Sequence, residues 1–418
     1  MHNTMKTTIS KHILPALLCC LCTVPSLRAE ALEGCLEPGQ WARPTIDGAA
    51  IATVAEVMAA TQEADIVLLG EAHDNADHHL WQLQALGMLH GQHDDMIIGM
   101  EMFPRRVQPA LDRWIAGQLS EEELLRQSDW NRVWRFDPEL YLPILRFARL
   151  NKLRLVALNV ERSLIAETGA SGWGAVAIDQ REGISDPAPA PDAYRESLRS
   201  SFYMHAGHGQ ASGQPNSGSA TPDDRAFEHF VQAQLVWDRA FAQGLAEAKA
   251  ANPDALVVGI IGSGHLRYGH GVPYQLRTMG VPRALVWMPV GVATQCAEIA
   301  EVADTVFAVA GSQRNPPPRL GVYLRNTDDG TEIGDVVADS VAAAAGLRPG
   351  DRVLSAAGTL ISSSDDLIAI VRKQSPGTWL PMIIARDGET IEVVARFPAS
   401  SKNHRPSANN ARGTSADE

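Results

Sequence analysis

Five short apolar runs, most of them closed by glycine, carboxylate or histidine, limit what this chain can fold into. They are Ile66 to Gly70, Met96 to Met100, Leu153 to Asn159, Leu256 to Ile261 and Ala284 to Met288. Apolar runs of this length between turns predict strands buried on both faces. Helical segments lie between most of them. Asn75 to His90 starts at an Asx cap, and Ser120 with Glu123 forms a capping-box pair. Asp224 to Ala251 repeats Phe227, Phe230, Val231, Leu235 and Phe241 on a helical period. The alternation predicts an α/β fold, a mainly parallel sheet with helices on both faces.

Ligands of open α/β sheets bind at the carboxyl ends of the strands. There the chain places Glu71, His73 and Asp74 after the first run and Glu101 with Arg105 and Arg106 after the second. Asn159 and Glu161 follow the third, and Ser263 and His265 the fourth. Taken singly, Glu71 would cap a helix, Glu101 would pair with Arg105, and His265 would be a satisfied loop residue. Together they predict a ligand site, since buried carboxylates are costly unless paired or bound to a cation. His78 and His79 follow on the next helix, where one would face the site and the other solvent.

Leu68 to Asp74, Gly99 to Phe103, Trp130 to Arg135, Gln234 to Asp238, and Gly262 to His265 followed by Gly271-Val272-Pro273 resemble the ChaN family of haem-binding proteins. Gly70 to His73 is a Gly-x-x-His element shared with the wider Tiki and erythromycin-esterase group. The resemblance implies haem as cofactor, or a divalent metal such as zinc, manganese or iron. Haem needs an axial ligand, an apolar slot and cations for its propionates. Tyr203, His205 and His208 are candidates for the first, and Phe103, Trp130, Trp134 and Phe136 for the second. Arg105, Arg106, Arg132 and Arg135 are candidates for the third. A metal would use Glu71, His73, Glu101 and His265, with Glu71 or Glu101 as catalytic base of a metal-dependent hydrolase. A scaffold without ligand is the third alternative. The chain has no H-E-x-x-H, G-x-S-x-G, Walker A, G-x-G-x-x-G or C-x-x-C-H, which disfavours zincin, serine hydrolase, NTPase, dinucleotide and c-haem chemistry.

Past a Pro-rich linker at residues 312–318, residues 319–398 resemble the PDZ domains of HtrA-type proteins. The motifs are Leu320-Gly321-Val322 and Ala345-Gly346-Leu347-Arg348-Pro349-Gly350-Asp351. Such a small β-rich domain takes a peptide C-terminus as an added strand. Leu320, Gly321 and Val322 would receive the carboxylate, and Leu367, Ile370 and Val371 would line the pocket. A protease reading fails: the nearest match to its serine motif is Pro215 to Ser219, in a low-complexity stretch.

The α/β domain is expected over residues 34–311, interrupted by Ser185 to Pro191 and by His208 to Asp223. Residues 1–29 read as a signal peptide, with Lys6, Lys11 and His12 ahead of an apolar stretch from Ile13 to Leu27. The protein is therefore expected to be exported and periplasmic, without a transmembrane span. A lipoprotein processed at Cys35 is the alternative. Cys19, Cys20 and Cys22 leave with the leader, so Cys35 and Cys296 are expected to form one disulfide, or else to be two thiols. Net charge −13 argues against nucleic acid. Residues 399–418 are polar and expected to be disordered. The partners expected are haem or metal, C-terminal peptides of exported proteins, and a second copy in a homodimer, in a role in iron or haem acquisition.

Overall fold

The computed structural model describes residues 34–208, 224–311 and 318–399, without the side chains of 204–208. The leader, most of the 208–223 insertion, most of the linker and nearly all of the tail lie outside the described residues, as do the side chains of His205 and His208.

The predicted runs are strands of one eight-stranded sheet. They are β3 (Ile66–Glu71), β4 (Met96–Pro104), β5 (Arg154–Asn159), β6 (Leu256–Gly262) and β7 (Ala284–Gly291). Three further strands were not foreseen: β1 (Trp41–Thr45), β2 (Gly48–Ala52) and β8 (Thr305–Val309). The order is β2-β1-β8-β7-β3-β6-β4-β5. β8, β7, β3, β6, β4 and β5 run parallel, and β1 pairs antiparallel with β2 and β8. The signal for the missed hairpin is Asp47-Gly48: Ile46 and Asp47 make the turn, and Gly48, at φ 143°, opens β2.

Helices in chain order are α1 (Val54–Ala59), α2 (Ala76–His90), α3 (Gln108–Ile115), α4 (Glu121–Gln127), α5 (Trp130–Val133) and α6 (Leu142–Leu150). They continue as α7 (Arg162–Ser171), α8 (Asp192–His208), α9 (Asp224–Ala251), α10 (Val272–Thr278) and α11 (Cys296–Ile299). The capping signals act as expected. Asn75 accepts from the amides of Asp77 and His78, and Ser120 and Glu123 form their reciprocal box. Side chains along a strand alternate between faces, and the two cores follow that period. Val67 and Leu69 join Trp81, Leu86 and Trp114 on one face, while Ile66 and Leu68 join Phe241 and Leu245 of α9 on the other.

The second domain is an antiparallel sheet ordered β14-β13-β11-β10-β9. Its strands are β9 (Val322–Thr327), β10 (Gly330–Val336), β11 (Arg352–Ala356), β12 (Thr359–Leu360, paired to β11), β13 (Trp379–Arg386) and β14 (Glu389–Arg396). Two helices, α12 (Val341–Ala344) and α13 (Ser364–Arg372), complete it. Leu320, Ile333, Val353, Leu367 and Leu380 form its separate core. Among the described residues no helix is long and apolar enough to cross a membrane.

Cys35 and Cys296 are bonded, with Cα atoms 4.8 Å apart across 261 positions. The bond ties the segment before β1 to α11. Closing so long a loop restrains the unfolded chain, so Cys35→Ser should lower stability by about 2–4 kcal/mol. The urea midpoint of the first domain's transition measures this. A midpoint equal to that of the oxidised wild type would contradict it.

Candidate functional site

The carboxyl ends of β3, β4 and β6 lie side by side because these strands are parallel neighbours. β3 ends on Glu71, 2% exposed, and β4 carries Glu101, 5% exposed. Both carboxylates are thus held in the sheet rather than on loops.

Glu71 is the most heavily partnered group. Its Oε1 accepts from His73 Nδ1 at 2.6 Å and from the Tyr141 hydroxyl at 2.9 Å. His79 Nδ1 stands 3.0 Å from Oε2. Burial pushes the Glu71 carboxyl up, but the two imidazoles outweigh it and bring it down to about 2. Burial and the Glu71 charge push the Tyr141 phenol far up, so it stays a donor.

His73 is fixed at Nδ1 by Glu71, and its Nε2 lies 3.9 Å from Glu101 Oε1. Burial disfavours its charged form, but the Glu71 hydrogen bond and the nearby Glu101 charge outweigh this and raise it above the ordinary histidine value. Trp134 and Phe136 pack on its ring at 4.7 and 5.1 Å between centroids. Under the ring is Gly262, where an added Cβ would come within 2.7 Å of His73 Cε1. The Gly262 amide donates to Glu101 Oε2 at 2.6 Å. This glycine therefore lets the imidazole and the carboxylate approach one another.

His265 belongs to a second carboxylate–imidazole pair. Its Nδ1 donates to Asp238 Oδ1 at 2.7 Å, and the Tyr194 hydroxyl donates to Oδ2 of the same carboxylate at 2.8 Å. Asp238 is fully buried on α9. Burial lowers His265, but the Asp238 bond and charge, with Glu101, raise it overall.

The structure therefore gathers Glu71, His73 and Glu101, with His265 near enough to affect His73 electrostatically. It does not shape them as a metal cage: among the described residues no group of three His, Cys, Asp or Glu could hold a metal ion. Glu71 is turned to its imidazoles and Tyr141. Asn75, rather than Glu71, caps α2, and Glu101 binds Gly262 rather than Arg105. His78 accepts from the Ala72 amide and is lowered to about 4, chiefly by burial, so it is a neutral loop brace. Of His78 and His79, it is His79 that faces the site, buried beside Glu71, while His78 is partly exposed.

Of the cation candidates, Arg105 donates to the Ala240 carbonyl on α9, while Arg106 and Arg132 pair with Asp129. Arg135 is exposed beside Trp134. Tyr203 is 49% exposed and packs on Phe202. Asp238, Tyr141 and Tyr194 were not foreseen as site residues. An aspartate on the apolar stripe of α9, in line with Val231 and Leu235, was the available signal.

In the second domain, Gly321 has φ 84°, and an added Cβ would come within 2.2 Å of Ser340 Cβ. Among the described residues the amides of Leu320 and Gly321 donate no hydrogen bond. β9 is an edge strand with α13 beside it. Val322, Leu324 and Ile370 are partly exposed there, while Leu367 and Val371 are buried in the core.

A family profile described as "Haem-binding uptake, Tiki superfamily, ChaN" matches residues 57–276, and a PDZ-domain profile matches 318–395. No curated protein matches the chain. Similar solved structures include ChaN of Campylobacter jejuni with cofacial haem, at 16% identity and TM-score 0.48, over 64% of this chain and 96% of that one. An erythromycin esterase mutant matches at 16% identity and TM-score 0.35, over 60% and 77%. A serine endoprotease from Yersinia pestis matches at 26% identity and TM-score 0.18, over 20% and 29%.

The depressed Glu71 carboxyl carries a pH consequence. A group lowered on folding stabilises above its unfolded value, near 4.5, and that stabilisation is lost as pH falls through about 2. Glu71→Gln should flatten the stability profile between those values. Parallel acid-unfolding curves for variant and wild type would contradict the assignment.

Proposed function

Since the chain belongs to the ChaN family of haem-binding uptake proteins in the Tiki superfamily, and carries a PDZ domain, we propose that it is an exported haem-binding protein whose PDZ domain captures partner C-termini. The observation that carries the haem reading is the state of His73. Its Nδ1 is tied to a buried carboxylate, its Nε2 faces Glu101 at 3.9 Å, beyond hydrogen-bond reach, and its side chain is 29% exposed between two aromatic rings. A ligating histidine characteristically donates its other N–H to a carboxylate, which orients it and raises its basicity. Trp134 and Phe136 supply apolar surface, and exposed Arg135 supplies charge for a propionate. The residues present thus fit the group. When bound, haem supplies iron that takes an imidazole nitrogen. The Glu71 hydrogen bond keeps a proton on Nδ1, so Nε2 is the nitrogen that would meet iron on releasing its own proton, and the Tyr141 hydroxyl holds Glu71 in place. The disulfide supports export, because such bonds persist in oxidising compartments.

Haemin titration followed by the Soret band tests this. The mature protein should bind stoichiometrically. His73→Ala should lose roughly 10–100-fold in affinity, and Gly262→Ala should weaken binding by displacing the ring. Unchanged affinity in both would move the ligand to the Tyr203 region of α8.

A second reading rests on the Asp238–His265 pair. Two oriented imidazoles, after the neighbouring strands β3 and β6, together with Glu101 on β4 are groups for general acid–base hydrolysis of an ester or peptide. Metal dependence would require ligands to gather on binding. Hydrolysis abolished by His265→Ala, with haem content unchanged, would favour it.

For the PDZ domain, the undonated amides of Leu320 and Gly321 support carboxylate capture. Peptides with free C-termini should bind, and their amidated copies should bind at least about tenfold more weakly, the scale of a lost charge-assisted hydrogen-bond pair. Equal binding in a fluorescence-anisotropy assay would rule the mechanism out.

A further inference from the structure

The rim of the strand-end site is touched by the second domain. Arg135 sits between Trp134 and Phe136, the two rings packed on His73. Its backbone is at φ 71°, a left-handed conformation that side-chain-bearing residues disfavour. Its carbonyl accepts a hydrogen bond from Arg372 Nη2 at 3.4 Å. Arg372 is the last residue of α13, the helix beside the open edge of β9. A second observation runs across the same contact. The Glu121 carboxyl is held low first by its hydrogen bond from Arg146, and the charge of Lys373, which follows Arg372, acts in the same direction.

We propose that occupation of the PDZ groove is coupled to the strand-end site through the Arg372–Arg135 hydrogen bond. The inference rests on the reading that the groove takes a peptide and the site takes haem. A peptide entering between β9 and α13 presses its side chains on Ile370 and its neighbours. Packed helices answer such pressure by rigid shifts of roughly 1–2 Å. α13 is rigid along its length, so the shift reaches Arg372 and the carbonyl it holds. Arg135 is the point at which the 134–136 backbone gains by moving, because its present conformation is disfavoured. Trp134 and Phe136 then move with it, and both bear on His73. Coupling of this kind is reciprocal: each ligand changes the affinity of the other by the same factor.

The test uses the full mature chain and the tightest binder from a library of C-terminal pentapeptides. In ligand-free protein labelled with 15N-histidine, saturating peptide should shift the His73 imidazole resonances. Haemin affinity with and without peptide, and peptide affinity with and without haemin, should change by equal factors of about five or more. Arg372→Ala should abolish the resonance shift and both changes, leaving each separate affinity within about twofold of wild type, the range expected when an exposed side chain is removed. Factors within twofold of unity, or coupling that survives Arg372→Ala, would overturn the proposal. If haemin fails to bind, the haem reading falls while the His73 resonances still decide the coupling. If no peptide binds, the PDZ reading and the coupling fall together.

Discussion

A buried carboxylate must be partnered, and in this protein Glu71 meets that requirement. Held in the sheet at the end of β3, it cannot reach water. His73, His79 and Tyr141 converge on it instead, from the loop after β3, from α2 and from just before α6. An unpartnered charge at this depth would cost several kcal/mol, so these three side chains are held where Glu71 needs them. The consequence for chemistry is direct. One nitrogen of His73 is committed to Glu71, and the other is left to face Glu101 and solvent.

The same device recurs after the neighbouring strand β6. Asp238 lies fully buried on α9, where it holds His265 from the turn after β6 and Tyr194 from α8. α9 thereby joins three parts of the site: Asp238 contacts His265 after β6, Trp237 donates to Asn159 at the end of β5, and the Ala240 carbonyl accepts from Arg105 after β4. A parallel sheet places its strand ends together, but the orientation of each side chain at that edge comes from the helices that cover it.

Covalent and backbone constraints frame this edge. The Cys35–Cys296 bond fastens the start of the described chain to α11, beyond β7, next to the antiparallel hairpin at the sheet margin. At the opposite margin, the Gln108 side chain accepts from the Ala157 amide and donates to the Leu155 carbonyl, supplying β5 with the pairing a further strand would give. The PDZ sheet, by contrast, leaves β9 as an open edge beside α13, where an added strand can be received.

Much of this was legible in the residues. Continuous apolar runs such as Leu256 to Ile261 have no polar face, so they specify strands covered on both sides, and the polar residues that end them fall on one sheet edge. Asn75, Ser120 and Glu123 act locally, within a helical turn, and so could be read without the fold. The strands β1 and β2 were not read, because they are short and partly exposed, leaving little hydrophobic period; β8 was also missed, although Thr305 to Val309 is as long and as buried as the runs that were read. Partnerships across long separations were also beyond the sequence. Glu71 with Tyr141, Glu101 with the Gly262 amide, and Asp238 with His265 each depend on which strand neighbours which and on how deeply each helix settles against the sheet. The amino-acid sequence by itself determined the strand-ending carboxylates and imidazoles, because local apolar length and turn chemistry mark where each strand stops. Only the tertiary structure decided which carboxylate holds which imidazole, because that choice is made by burial, which leaves each buried charge no partner except the groups that packing brings to it.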